Sequence, residues 1–245
     1  MPVHDFKSQR LFVDAPMASG AAVELDRGQA HYLISVLRMK DGAGIRVFNG
    51  RDGEWQAVLS MTGRKSGALQ LVEQTRPQPP AADLVYCFAP LKQARLDYMV
   101  QKAVEMGAGA LQPVLTQYTQ NQRINLERMR ANAIEAAEQC SILSVPECRE
   151  AVPLDALLSG WEKDRALIVA DEAAEENNPL APLARLRGRP LGLLIGPEGG
   201  FSGSERETIA AMAQAVTISL GPRILRADTA AVAALTVLQA ACGDW

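Results

Sequence analysis

A proline-rich stretch, RPQPPAAD at residues 76–83, divides the chain into two parts with different hydrophobic patterns. Before it, apolar and polar residues alternate in short segments, which predicts β-strands. After it, short apolar runs alternate with longer amphipathic segments, which predicts strands and helices in turn. Because a polar stretch rich in proline resists regular structure, we interpret residues 76–83 as a linker between a domain at 1–75 and a domain at 84–245.

The pattern of the first part predicts a small β-barrel with one helix. Strands are expected in the segments RLFVD, GIRVFNG, EWQAVLSM and ALQLVEQ, and glycine-containing turns at residues 49–53 and 63–67 fit hairpin spacing. Asp26 is positioned to cap the helix, on which Leu33, Ile34 and Leu37 share one face.

The pattern of the second part predicts an α/β domain with a parallel sheet covered on both faces, and the residues alone favour an open, doubly wound sheet. Gly107 suits the left-handed end of a helix. A further helix can begin at Ser202 or Ser204, each followed three residues later by glutamate. Strands are expected at residues 84–90, 111–115, 166–170, 191–195 and 215–220, and helices at 94–107, 125–140 and 229–241.

Charge and composition narrow the class of protein. Residues 1–80 carry ten basic against eight acidic residues, whereas residues 81–245 carry 15 against 20, so the first part is the better candidate for contact with nucleic acid. The four cysteines show no C-x-x-C spacing, and we expect buried thiols and no metal site. No apolar run reaches the ~20 residues of a membrane span, and the N-terminus lacks a signal-peptide core. A cytoplasmic protein without membrane contact is therefore expected.

Two loops that begin with Gly-Pro follow strands of the predicted sheet, GPEGGFSG at 196–203 and GPRILRADTA at 221–230. Ligands of parallel α/β sheets bind beyond the carboxyl ends of the strands. Neither the G-x-x-x-x-G-K-[ST] motif nor the G-x-G-x-x-G fingerprint fits the first loop, and Glu198 would repel a pyrophosphate. The loop thus favours a ligand that is neutral or cationic near Glu198, and S-adenosylmethionine (SAM) has this chemistry. Ordinary strand-to-helix turns, with Glu198 facing solvent or capping a helix, are the alternative.

The segments LLIGPEGGFSGSE and SLGPRILRADTAAVAAL resemble the two signature loops of the SPOUT (α/β-knot) RNA methyltransferases. The resemblance is strongest to the bacterial 16S ribosomal RNA uridine-N3 methyltransferases, and it extends over nearly the whole chain, including HYLISVLRMKDG and KQARLDYMVQKAVEMGAGALQPV. It implies a PUA-like RNA-binding barrel, a trefoil-knot methyltransferase domain that works as a homodimer, SAM as cofactor, and 16S ribosomal RNA or the 30S subunit as partner. The knot follows from the resemblance alone.

The resemblance also implies site residues. Arg226 is the candidate for substrate chemistry, with a salt bridge to Asp228 or Glu198 as the alternative. Glu198 and Asp228 are both candidate bases, and the sequence does not choose between them. The expected cofactor contacts are Ala170, Gly196, Pro197, Glu198, Gly199, Leu220, Gly221, Ile224, Leu225 and Thr229. The expected RNA contacts are Arg10, His31, Arg38, Arg51, Lys92 and Lys102.

The sequence departs from the family pattern in two places. Ala227-Asp228 stands where the family usually has Thr-Glu, and residues 141–144 read SILS where an arginine is common. These departures keep a second hypothesis open, a non-catalytic RNA-binding or ribosome-assembly protein that retains the fold. A dinucleotide-dependent enzyme is the other alternative, and the missing glycine fingerprint counts against it.

Overall fold

The computed structural model describes residues 8–171 and 178–245, and the chain forms two compact units. The first unit comprises residues 1–81 and 137–145, and the second comprises 82–136 and 146–245. The first unit therefore includes a nine-residue segment that lies far from the rest of it in sequence. The predicted domain limits at residues 75 and 84 stay a prediction.

The first unit is built on a five-stranded sheet in the order β1-β3-β4-β5-β2. Strands β1 and β3 pair in parallel and the other pairs are antiparallel. The four predicted strand segments are confirmed, whereas β2 was not predicted. The strands are β1 Arg10–Phe12, β2 Ala22–Glu24, β3 Gly44–Phe48, β4 Glu54–Gly63 and β5 Ser66–Arg76.

The predicted helix of the first unit begins at its predicted cap. The Asp26 carboxylate accepts a hydrogen bond from the Gln29 backbone N–H at 2.8 Å, and the Gln29 side chain accepts one from the Asp26 N–H at 3.1 Å. Helix α1, Arg27–Ala30, continues as a π-helix over His31–Val36, which periodicity at 3.6 residues per turn could not predict.

The second unit carries a parallel sheet in the order β12-β10-β11-β6-β7-β8, with β9 paired to β7. Its strands are β6 Leu84–Phe88, β7 Ala110–Leu115, β8 Glu147–Cys148, β9 Val152–Pro153, β10 Ala166–Ala170, β11 Leu191–Ile195 and β12 Ala215–Ile218. Its helices are α2 Gln93–Glu105, α3 Leu126–Gln139, α4 Leu154–Ser159, α5 Leu180–Ala184, α6 Gly203–Ala210 and α7 Ala227–Cys242, and residues 137–139 of α3 belong to the first unit.

Local signals set the ends of several helices in the second unit. Gly107 has a φ of +84° just after α2, which confirms the predicted left-handed end. Ser202, not Ser204, caps α6 in a capping box with Glu205. Helix α7 begins at residue 227 instead of 229, so Asp228 lies in its first turn. Because the strands run in parallel, the loops after β6, β7, β10, β11 and β12 meet at one edge of the sheet.

Candidate active site

The two Gly-Pro loops face each other across a cleft at the carboxyl edge of the sheet. A cavity of about 190 Å³ and a neighbouring one of about 70 Å³ share Ala170, Ile224, Leu225 and Ala230 in their walls. Nine of the ten predicted cofactor contacts line one or both cavities, namely Ala170, Gly196, Pro197, Glu198, Gly199, Leu220, Gly221, Ile224 and Leu225. The tenth, Thr229, is exposed in the first turn of α7 and lines neither.

The chemistry of the larger cavity suits a ligand without phosphate. Its walls are backbone and apolar side chains, and Glu198 is the single charged residue among the described residues that line it. A methyl group on the Cα of Gly196 would lie 3.0 Å from the buried ring of Phe201, so glycine lets the backbone pass close to that ring. The smaller cavity adds Asp171 and Arg223 to its walls.

Arg95, which sequence reasoning missed, stands between the two candidate bases. It lies in the first turn of α2, and its guanidinium is 3.6 Å from the Glu198 carboxylate and 4.0 Å from that of Asp228. The Asp228 side chain is 18% exposed, against 43% for Glu198. The guanidinium therefore connects the loop after β11 with the start of α7. The sequence signal for Arg95 was its place after β6, because residues that follow a strand of a parallel sheet lie near the carboxyl edge of that sheet.

Arg226 does not form the salt bridge that was the alternative to a role in substrate chemistry. It is the exposed N-cap residue of α7, and its side chain has no ion pair or hydrogen bond within residues 8–171 and 178–245. Arg95, and not Arg226, lies beside Glu198 and Asp228. The Arg226 guanidinium is thus available to a ligand.

A buried tyrosine lies within the electrostatic reach of Asp228. Burial raises the pKa of Tyr86 well above its ordinary value, and the negative charge of Asp228 adds to this effect. The Tyr86 ring stacks on Phe88 with centroids 5.2 Å apart, and its hydroxyl has no hydrogen-bond partner in the part of the chain that the structure describes. Tyr86 therefore stays protonated and contributes no charge to the site.

Arg10, a predicted RNA contact, is buried within the first unit, and its contact with RNA stays a prediction. It is 8% exposed, bonds to the Glu54 carboxylate at 3.0 Å, and donates to the carbonyls of Ala137, Glu138 and Ile142. Burial lowers the pKa of Arg10, an effect that the hydrogen bond and charge of Glu54 oppose. The bonds to Glu54 and to the three carbonyls hold the Arg10 guanidinium inside the first unit, which indicates a structural role.

The other predicted RNA contacts lie on the surface. In the first unit His31 and Arg38 are exposed, and Arg51 is exposed but paired with Asp14 at 3.0 Å. In the second unit Lys92 is exposed at the N-cap of α2. Lys102 donates to both carboxylate oxygens of Glu105 at 2.8 Å, so its charge is partly neutralised.

Residues 8–171 and 178–245 contain no cluster of His, Cys, Asp and Glu side chains that could hold a metal ion. None of the helices in these ranges has the length and apolar character needed to span a bilayer. The prediction of buried thiols is confirmed for Cys87 and Cys242 and wrong for Cys140, which is exposed, while Cys148 is intermediate.

Comparison with known proteins identifies both parts of the chain. Residues 77–239 match the family model of an RNA methyltransferase domain, and residues 25–72 match that of an RNA methyltransferase PUA domain. Ribosomal RNA small subunit methyltransferase E of Rickettsia conorii is 32% identical over 94% of each chain, and that of Bacillus subtilis is 28% identical over 86% of each.

The chain belongs to the RNA methyltransferase family. Its fold matches a Legionella pneumophila structure, described as a methyltransferase with the bound cofactor SAM, with a TM-score of 0.88 and 28% identity over 98% of this chain and 100% of that one. A small subunit methyltransferase E from Neisseria gonorrhoeae, bound to SAM, matches with a TM-score of 0.83 and 23% identity over 97% and 99%. The predicted family and the predicted class, an α/β methyltransferase domain with a PUA-like domain, are confirmed.

Beyond Arg95, sequence reasoning missed a residue beside the first signature loop of this methyltransferase domain. Tyr118 follows β7 and packs against Gly199, although 81 positions separate the two in sequence. Its only sequence signal was its place just after a strand of the parallel sheet. Nothing in the residue pattern showed that the loop after β7 would lie next to the loop after β11.

Proposed function

We propose that this chain transfers a methyl group from SAM to N3 of a uridine in 16S ribosomal RNA. The observation that carries the proposal is the cleft between the two Gly-Pro loops, where backbone, apolar side chains and the Glu198 carboxylate line the larger cavity and none of the described lining residues is cationic. The relatives named ribosomal RNA small subunit methyltransferase E support the substrate, and the SAM-bound Legionella structure supports the cofactor.

The residues of the cleft fit SAM. Leu220, Ile224 and Leu225 supply apolar walls for an adenosine, and the backbone of residues 196–199 supplies polar groups at close range. Bound there, SAM would supply a methyl group already activated by a positively charged sulfur, so no metal ion is required for the transfer. The carboxylate of Glu198 suits that positive charge.

The charged residues beside the cleft have the chemistry that a uracil requires. N3 of uracil carries a proton, which a carboxylate, Glu198 or Asp228, accepts as general base. The negative charge left on the base spreads to its two carbonyl oxygens, where the exposed guanidinium of Arg226 stabilises it. The guanidinium of Arg95 lies between the two carboxylates and holds both at the same edge of the sheet.

The proposal extends to partners. The 30S subunit in the cytoplasm is the substrate, and His31, Arg38, Arg51, Lys92 and Lys102 are the proposed RNA contacts. We also propose a homodimer. Ile224 is 90% exposed at the cleft and Trp245 is 62% exposed at the chain end, and a second copy of the chain would cover such apolar side chains.

The test is methyl transfer from radiolabelled SAM to 30S particles from a strain that lacks this activity, followed by mass mapping of the modified nucleotide. Arg226→Gln and either Glu198→Gln or Asp228→Asn should lower kcat by about 100-fold or more. Glu207→Gln, which changes an exposed carboxylate on α6, is the matched control and should leave kcat unchanged. Binding without transfer would instead support a ribosome-assembly protein, and a methyl group on any other atom would overturn the substrate assignment.

A further inference from the structure

Tyr118 is an exposed aromatic residue beside the first signature loop, and the reaction described above gives it no role. It follows β7 at the carboxyl edge of the sheet and is 47% exposed. We propose that Tyr118 is a stacking platform that holds the target uracil once this base has left its RNA stack. This inference rests on the proposed function and adds a substrate-binding residue to it.

The contact with Gly199 places Tyr118 next to the charged groups of the site. A methyl group on the Cα of Gly199 would lie 3.3 Å from Cβ, 3.6 Å from Cγ and 3.7 Å from Cδ2 of Tyr118. The residue before Gly199 is Glu198, which pairs with Arg95. Tyr118, Glu198 and Arg95 thus follow one another along the same edge, so a base stacked on the ring would have its pairing edge near a proton acceptor.

Hydrogen bonds on both sides of Tyr118 fix the loop that presents it. The Gln117 N–H donates to the Glu205 carboxylate at 2.7 Å, and Glu205 is itself held by the capping box of α6. The Thr116 N–H donates to the Thr119 hydroxyl at 2.8 Å, and the Thr119 N–H donates to the Thr116 carbonyl at 3.2 Å. A ring on a fixed loop loses little conformational entropy when a base binds.

Comparison with Tyr98 shows what distinguishes the Tyr118 ring. Tyr98 lies on α2 in the same unit and is also 47% exposed, but the Lys102 ammonium sits 5.5 Å from its ring centroid. Within residues 8–171 and 178–245, no cation covers the Tyr118 ring. An exposed aromatic face that no cation of the described residues covers, beside a proposed base-modifying site, suits a flipped nucleobase, since stacking on aromatic side chains is how proteins hold unpaired bases.

The experiment measures methyl transfer to 30S particles by the full-length chain and, separately, the Kd for SAM. Tyr118→Ala should lower kcat/KM for 30S by about tenfold or more, while the Kd for SAM and the thermal unfolding midpoint stay as in the wild type. Tyr118→Phe should retain activity because it keeps the ring, whereas Tyr118→Leu, which keeps apolar volume but no π face, should resemble the alanine variant. Tyr98→Ala is the matched control and should behave as the wild type.

Each departure from this pattern overturns the proposal. Unchanged kcat/KM in Tyr118→Ala means that no base stacks there, and an active Tyr118→Leu means that the contact is apolar packing. A weaker Kd for SAM in Tyr118→Ala means that Tyr118 supports the cofactor loop through Gly199. A wild-type protein without methyl-transfer activity would refute the proposed function itself. Equal activity of the wild type and Tyr118→Ala would refute only the stacking role, so the two failures can be distinguished.

Discussion

Replacing Arg10 by alanine tests whether this residue is a structural group or an RNA contact. The change removes a guanidinium that bonds to Glu54 and to three backbone carbonyls of residues 137–142, all within the first unit. Removing one partner of a buried ion pair destabilises proteins by about 3–5 kcal/mol, because the other charge stays buried. Glu54 keeps Arg76 at 3.7 Å and the Thr75 hydroxyl at 3.1 Å, so the lower part of that range applies.

We therefore expect Arg10→Ala to lower the free energy of unfolding of the first unit by about 3 kcal/mol. Urea denaturation followed by hydrogen exchange in peptides from this unit measures the loss separately from the second unit. Arg51→Ala is the matched control, since its exposed pair with Asp14 should contribute less than about 1 kcal/mol. Unchanged stability combined with weaker RNA binding in Arg10→Ala would refute the structural role.

Three further predictions concern groups away from the cleft. Tyr86→Phe should raise the free energy of unfolding by about 1 kcal/mol in calorimetry, because it removes a buried hydroxyl that has no hydrogen-bond partner among the described residues, and a loss of stability would reveal a partner. Iodoacetamide at pH 8 should label Cys140 first and Cys87 last in peptide mass mapping, since burial raises the pKa of Cys87 to about 12. The hydrogen bond from Arg128 lowers the pKa of Asp97 in the folded state. The charged Asp97 therefore stabilises the fold above the ordinary aspartate pKa, and this stabilisation is lost as the pH falls through the lower pKa of the folded state. Asp97→Asn should therefore make stability depend less on pH below about pH 4, measured by urea unfolding, and equal pH dependence would contradict this.

Much of the local structure could be predicted from the sequence. Asp26 was predicted as a cap, and Ser202 was one of two predicted caps with Ser204; each capping box that forms is complete within four residues. Strands β6, β7, β10, β11 and β12 and the two Gly-Pro loops could be predicted for the same reason, since the pattern that specifies each is contained in the segment itself, whereas the two-residue strands β8 and β9 were missed. The π-helix after α1 could not, because a widened turn leaves no distinct signal in a period of 3.6 residues.

Tertiary structure decided the partners of the charged and aromatic side chains. From the sequence, Arg10 and Arg51 were both candidate RNA contacts. Arg10 is buried and donates to carbonyls of residues more than 120 positions away, whereas Arg51 is exposed. Likewise Arg95, between Glu198 and Asp228, and Tyr118, beside Gly199, depend on the order in which β7, β6 and β11 pair. A strand's own residues favour extended structure and burial but do not specify its neighbours. The pairing of distant strands, which the packing of the whole chain selects, therefore determines which side chains meet at the site.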